Sequence, residues 1–167
     1  MLEIAIEADA EWDSSRAWDK LIREAAEAAI AESAFPQLAT SRQPVELSVR
    51  LAGDEEVRGL NAKWRGKDKA TNVLSFPLAN PGDFDQANVS DRELLLGDIV
   101  MAHGVCQSEA TEKGVSVQEH ATHLLVHGTL HLLGYDHQDD ADAADMEARE
   151  VRALARLGIA DPYAVND

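Results

Sequence analysis

The chain contains one cysteine, Cys106, so no disulfide can form within it. At 167 residues and 45% hydrophobic content it does not need one, because it is long enough to bury a core without a covalent staple. A single thiol also suits a reducing compartment. No stretch approaches the roughly 18 consecutive apolar residues of a membrane-spanning helix. The opening run MLEIAIEADAEWD has neither the basic segment nor the apolar run of a secretory signal. The expectation is a soluble, cytoplasmic protein with no membrane partner. Basic residues are scarce too. Fifteen Lys and Arg stand against 31 Asp and Glu, for a formal net charge of −16, which argues against DNA and against nucleic-acid binding by bulk charge. Internal repeats, low-complexity tracts and linker-like shifts of composition are all missing, so residues 1–167 read as one domain.

What is present breaks that average locally. Residues 57–81 carry Arg58, Lys63, Arg65, Lys67 and Lys69 against a single acid, Asp68. A cationic cluster in so acidic a chain points to a local anion-binding surface. Residues 139–150 lean the other way, with Asp139, Asp140, Asp142, Asp145, Glu147 and Glu150, and read as a solvated acidic face.

Alternating Leu2, Ile4 and Ile6 predict a strand over 2–8. Asp13, Ser14 and Ser15 offer caps for a helix to about residue 33, with Trp18, Leu21, Ile22, Ala25, Ala29 and Ile30 on its apolar face. Val45, Leu47, Val49 and Leu51 predict a second strand, and Val57, Leu60 and Trp64 a short helix after it. A strand is expected at 72–77, a polar loop at 79–92 and a buried strand at 94–102. Gly114 ends a helix over 103–113. Ser116 with Glu119 forms a capping box for a helix to about Leu133, and a last helix runs from about 140 to 157. The sum is a single α+β domain, with a mixed sheet of about four strands covered by helices.

The segment HGTLHLLGYDH, residues 127–137, holds three of the six histidines. His127 and His131 are four apart, so both imidazoles project from one helix face, about 6 Å apart along the axis. His137 would point about 240° away from His131 if the helix continued. A helix end at Gly134 lets the chain turn back and bring His137 to the other two. Three protein ligands leave one position of a tetrahedral zinc site open, the catalytic rather than the structural pattern. A metal so held lowers the pKa of water toward about 7. His123, one turn earlier, reads as packing, with a supporting or competing ligand as the alternative. His103 and His120 read as surface residues. The spacing is also that of the metzincin peptidases, but the glutamate of their motif is Gly128 here. Met146 reads as packing rather than as the counterpart of their methionine turn.

LNAKWRGKDKATNVLSFP, residues 60–77, carries the basic cluster. Arg65 offers a planar fork of donors suited to phosphate. Thr71 and Asn72 are candidates to anchor the loop. Trp64 and Phe76 read as core residues, with faces for base stacking as the alternative.

HGTLHLLGYDH, LNAKWRGKDKATNVLSFP and LLGDIV together resemble, in order, the YbeY family of bacterial rRNA maturation factors. Those are metal-dependent, single-strand-specific endoribonucleases. The motifs cover about a third of the chain, and Ala70 replaces a proline common in the family. The resemblance implies that His127, His131 and His137 bind a metal, expected to be zinc, and that Arg65 is the catalytic arginine. It also implies a role in 3′-end maturation of small-subunit (16S) rRNA and in ribosome quality control, with single-stranded rRNA, the small subunit and assembly factors as partners. Protonation of the leaving oxygen is left open among Asp136, water and a histidine, and attack by a 2′-hydroxyl is a second route. The rival readings are a metzincin-like peptidase, and a non-catalytic assembly factor whose metal is closed by Cys106 or His123.

Overall fold

Val45, Leu47, Val49 and Leu51 lie on one face of β2 (Val45–Ala52), and all four are buried, as the alternation requires. The computed structural model describes residues 1–13, 17–86 and 93–164. In it, β2 pairs in parallel with β1 (Leu2–Ala8) and, on its other side, with β4 (Leu94–Ala102). β3 (Val73–Pro77) runs antiparallel along the far side of β4, from Val73 opposite Met101 to Pro77 opposite Gly97. The sheet is therefore mixed and four-stranded, in the order β1-β2-β4-β3.

β4 carries a bulge that changes which residues face the main core. Glu46 pairs with Leu95 but Leu47 pairs with Gly97, so one residue is skipped. The inward set accordingly passes from Leu94 and Leu96 to Ile99 and Met101, all buried in the same cluster. An unbroken period of two would have turned Ile99 and Met101 outward.

Helices α1 (Trp18–Ala31), α4 (Val117–Leu132) and α5 (Asp140–Arg156) contribute to the main core. Ile22, Ala25, Ala29 and Ile30 bring α1 onto α4. Each fully buried branched side chain there contributes roughly 1.5–3 kcal/mol. A smaller cluster of Ala52, Val57, Leu74, Val100 and Ala102 includes Val57 from α2 (Asp54–Arg65), with Val105 of α3 (His103–Lys113) packed against it.

Three expectations need correction. α1 starts at Trp18 with Ala17 in the capping position and no side-chain cap, while Ser14 and Ser15 lie outside the described residues. The polar stretch at 79–92 contains a 3-10 helix, Pro81–Gln86, whose Phe84 is buried edge-on against Phe35; residues 87–92 lie outside the described residues. Trp64 is 62% exposed rather than core, because it sits in the last turn of α2, beyond the turn that Val57 buries.

Candidate metal centre

The site is built at the C-terminal end of α4. Ser116 fixes the start of that helix, its hydroxyl accepting a hydrogen bond from Glu119 N at 3.1 Å. The helix ends at Leu132, and Gly134 follows at φ +98°, a conformation that a side chain would strain. Tyr135 N donates to Leu130 O at 3.1 Å and Gly134 N to His131 O at 3.0 Å, so the chain folds back over the last turn. Asp136 then steadies the returning segment by accepting from His137 N at 2.8 Å. That hydrogen bond also holds the Asp136 carboxyl below the ordinary carboxylate range.

One nitrogen of each of His127, His131 and His137 lies within 4.8 Å of the other two. The His127 and His137 rings stack at a centroid distance of 5.3 Å, and the His131 ring stands edge-on to both. The hydrogen bonds of the outer nitrogens fix which atoms face inward. His131 Nδ1 donates to the Tyr135 carbonyl at 2.8 Å, and His127 Nδ1 donates to the Glu150 carboxylate. Both oxygens can only accept, so neutral rings carry their lone pairs on Nε2. Those two Nε2 atoms face each other at 3.0 Å. Burial, with the neighbouring His127 and His137, lowers His131 to about 4 and disfavours a second proton on it at neutral pH. The donor set suits a transition-metal ion, and the cluster can hold one.

Glu150 is the residue that sequence reasoning missed. The acidic run at 139–150 is not uniformly solvated: Glu150 is fully buried in α5. Burial alone would raise its carboxyl, yet hydrogen bonds from His123, His127 and Tyr163 outweigh that and hold it down at about 2. A signal was available. Met146, Glu150, Ala153 and Leu154 occupy one stripe of α5, and all are buried. Met146 packs in the core, as expected.

His120 is also buried, contrary to expectation, with Nε2 2.8 Å from Glu109 Oε1. His103 is partly buried, edge-on to Trp12. His123 Nε2 lies 3.3 Å from Glu150 and 3.3 Å from the Tyr163 hydroxyl, outside the three-nitrogen cluster. Cys106 Sγ contacts Asn72 O at 3.7 Å and is likewise outside that cluster; burial pushes its thiol up to about 12. Gly128 is where α4 meets the sheet. A Cβ there would lie 3.2 Å from Ile99 Cδ1, a contact that Ile99 would have to relieve by shifting.

Arg65 closes α2 and lies across the groove from these histidines. It donates to Ser75 O at 2.8 Å, and its guanidinium sits 5.7 Å from the centre of the Phe76 ring. A groove of about 440 Å³ is lined by Arg65, Lys67, Lys69, His127, His131 and Tyr163, among others. Arg58 is not part of it, being paired with Asp68 at 2.9 Å. Asn61 anchors the basic loop by donating to Lys69 O at 2.9 Å. Asn72 anchors its far end, donating to Glu109 at 3.0 Å and accepting from Val73 N at 2.7 Å.

Fold and site together define a single α+β domain with a three-histidine cluster able to hold a metal ion, facing a cationic groove. The chain belongs to the YbeY family: the family described as "Endoribonuclease YbeY" matches residues 4–158. It is 53% identical over 168 residues to the Endoribonuclease YbeY of Sphingopyxis alaskensis, covering 100% of both chains. It is 49% identical over 168 residues to that of Rhizorhabdus wittichii, covering 100% of this chain and 99% of the other. The fold is similar to the solution structure of TM1509 from Thermotoga maritima, with a TM-score of 0.54, 21% identity, and coverage of 99% of this chain and 100% of that one.

Proposed function

We propose that residues 1–167 form one metal-dependent, single-strand-specific endoribonuclease domain, with Arg65 as the catalytic residue and His127, His131 and His137 as the ligands of one zinc ion. The reading rests on one juxtaposition: imidazole nitrogens converging within 4.8 Å, on a groove that Arg65, Lys67 and Lys69 also line. His127, His131 and His137 would hold the zinc, which would supply water acidification and Lewis-acid chemistry. Arg65 has one N–H committed to Ser75 O, and its remaining donors are available to a phosphodiester in the groove. Its fixed charge neutralises the negative charge that develops on phosphorus oxygens in the transition state. Lys67 and Lys69 hold neighbouring phosphates, and Trp64, outside that groove beside Leu60 and Phe76, offers an exposed ring to a base further along the strand.

The substrate we infer is the 3′ end of small-subunit (16S) rRNA, in maturation and ribosome quality control in the cytoplasm. The small subunit and its assembly factors present the RNA. Support comes from the family and from the charge distribution: a chain of net charge −16 sets Arg65, Lys67 and Lys69 together on this groove, so docking relies on partners as well as on phosphate contacts. The metzincin-like reading is not favoured, since position 128 has no carboxylate and packs tightly on Ile99. The test is cleavage of a single-stranded rRNA 3′-end fragment by zinc-loaded and chelated protein, with product ends mapped. Metal-dependent cleavage supports the reading. Equal cleavage after chelation, or cleavage of peptides instead, contradicts it.

A further inference from the structure

The chain uses a buried acid and a tyrosine from beyond its last helix to aim one histidine of the cluster. Glu150 has no exposure, yet both of its carboxylate oxygens have polar partners. One oxygen accepts from His127 Nδ1. The other accepts from the Tyr163 hydroxyl and lies 3.3 Å from His123 Nε2. A buried carboxylate is costly unless its lone pairs are satisfied, so such an arrangement needs a return. Packing does not supply one, since Met146, Ala153 and Leu154 on the same stripe of α5 bury apolar surface at no such cost.

We infer that Glu150 is a positioning residue for the metal centre, and that Tyr163, from the segment after α5, holds it in place. The carboxylate can only accept, so it fixes the proton of His127 on Nδ1 and turns the Nε2 lone pair toward His131 and His137. Its negative charge also makes that lone pair a stronger donor. Tyr163 occupies the second oxygen, with its ring edge-on to His123 at a centroid distance of 5.5 Å, and keeps the carboxylate from rotating away from His127. The segment around Tyr163 thus belongs functionally to the metal centre, although α5 and a turn separate it from His137. This inference rests on the proposed role of the three histidines.

The experiment compares the full chain with Glu150→Gln and Tyr163→Phe. Zinc affinity is measured by competition with a chromophoric chelator, and the His127 tautomer is read from imidazole ¹⁵N shifts in chelated protein. Glutamine keeps an oxygen acceptor but removes the charge, so affinity should fall about 10–100-fold while the Nδ1–H tautomer persists. Tyr163→Phe should weaken zinc binding less, with ring signals of His127 broadened or shifted because the carboxylate is no longer held. A merely structural role for Glu150 would change the melting temperature and leave both readouts where they are. Wild-type protein that binds zinc, with both variants binding as tightly and an unaltered His127 spectrum, overturns this inference alone. Wild-type protein that takes up no zinc overturns it together with the metal reading. Should Glu150→Gln not fold, Tyr163→Phe decides, because it removes only a hydroxyl.

Discussion

His127 Nε2 and His131 Nε2 face each other 3.0 Å apart, while the Nδ1 of each ring is taken by an oxygen that can only accept. Two lone pairs at that distance repel unless a cation lies with them. A shared proton or a metal ion would satisfy the pair. His137 adds a third donor, and the three nitrogens together could hold a metal ion.

Arg65→Ala should lower kcat by about 10²–10³-fold, the cost of losing one preorganised group at developing charge. Zinc content and melting temperature should be unchanged, because the guanidinium is exposed and, among the described residues, its hydrogen bond is to Ser75 O. Arg65→Lys should recover little, since a point charge cannot reproduce a fork of donors. Steady-state cleavage of a short single-stranded RNA measures both. Full activity of the alanine variant would make Arg65 a surface charge.

Trp64→Ala should weaken binding of single-stranded RNA by about 1–3 kcal/mol per stacked base, seen in KM and in fluorescence titration. Stability should change by less than about 0.5 kcal/mol, because 62% of the residue is exposed. Unchanged RNA affinity would remove the stacking role.

Stability of the metal-free protein should fall as pH drops. His131 has a folded pKa of about 4 against an ordinary 6.5, so the unfolded chain binds the extra proton across that window and folding weakens as pH falls from 6.5 toward 4. Glu150, at about 2 against 4.5, contributes stability that is present above 4.5 and lost as pH falls toward 2. Urea midpoints measured from pH 7 to pH 3 should trace both, and His131→Gln should flatten the upper part. A midpoint independent of pH between 6.5 and 4 would contradict the assignment.

Gly128→Glu, which writes the metzincin glutamate into the motif, should not create a peptidase. It places a charged side chain where a Cβ already meets Ile99 Cδ1 at 3.2 Å, and should destabilise the fold by about 1–3 kcal/mol. Denaturant unfolding and a peptide-cleavage assay check this. A stable, peptide-cleaving variant would revive the peptidase reading.

Much of this was legible because it is local. The Ser116–Glu119 cap, the glycine stops at Gly114 and Gly134, and the four-residue spacing of His127 and His131 each depend on a few neighbouring residues. The alternation in β2 declares its buried face within eight residues. What stayed hidden depends on tertiary partners. Glu150 looks like its acidic neighbours until α5 is laid against α4, although its place on the Met146–Leu154 stripe marked it. His120 is buried by packing that its spacing does not reveal. Trp64 continues the helical stripe of Val57 and Leu60, but α2 runs past the smaller core before reaching it. The bulge in β4 is written in the jump from Leu96 to Ile99, which is readable only once the strand's partner is known.

The most direct measurement is zinc K-edge X-ray absorption on the purified, zinc-loaded protein and on His131→Ala. One zinc per chain is expected, with three imidazole nitrogens at about 2.0 Å and one exchangeable oxygen ligand, and with loss of that signature in the variant. A wild-type spectrum dominated by carboxylate or sulfur ligands, or an unchanged spectrum in His131→Ala, would contradict it.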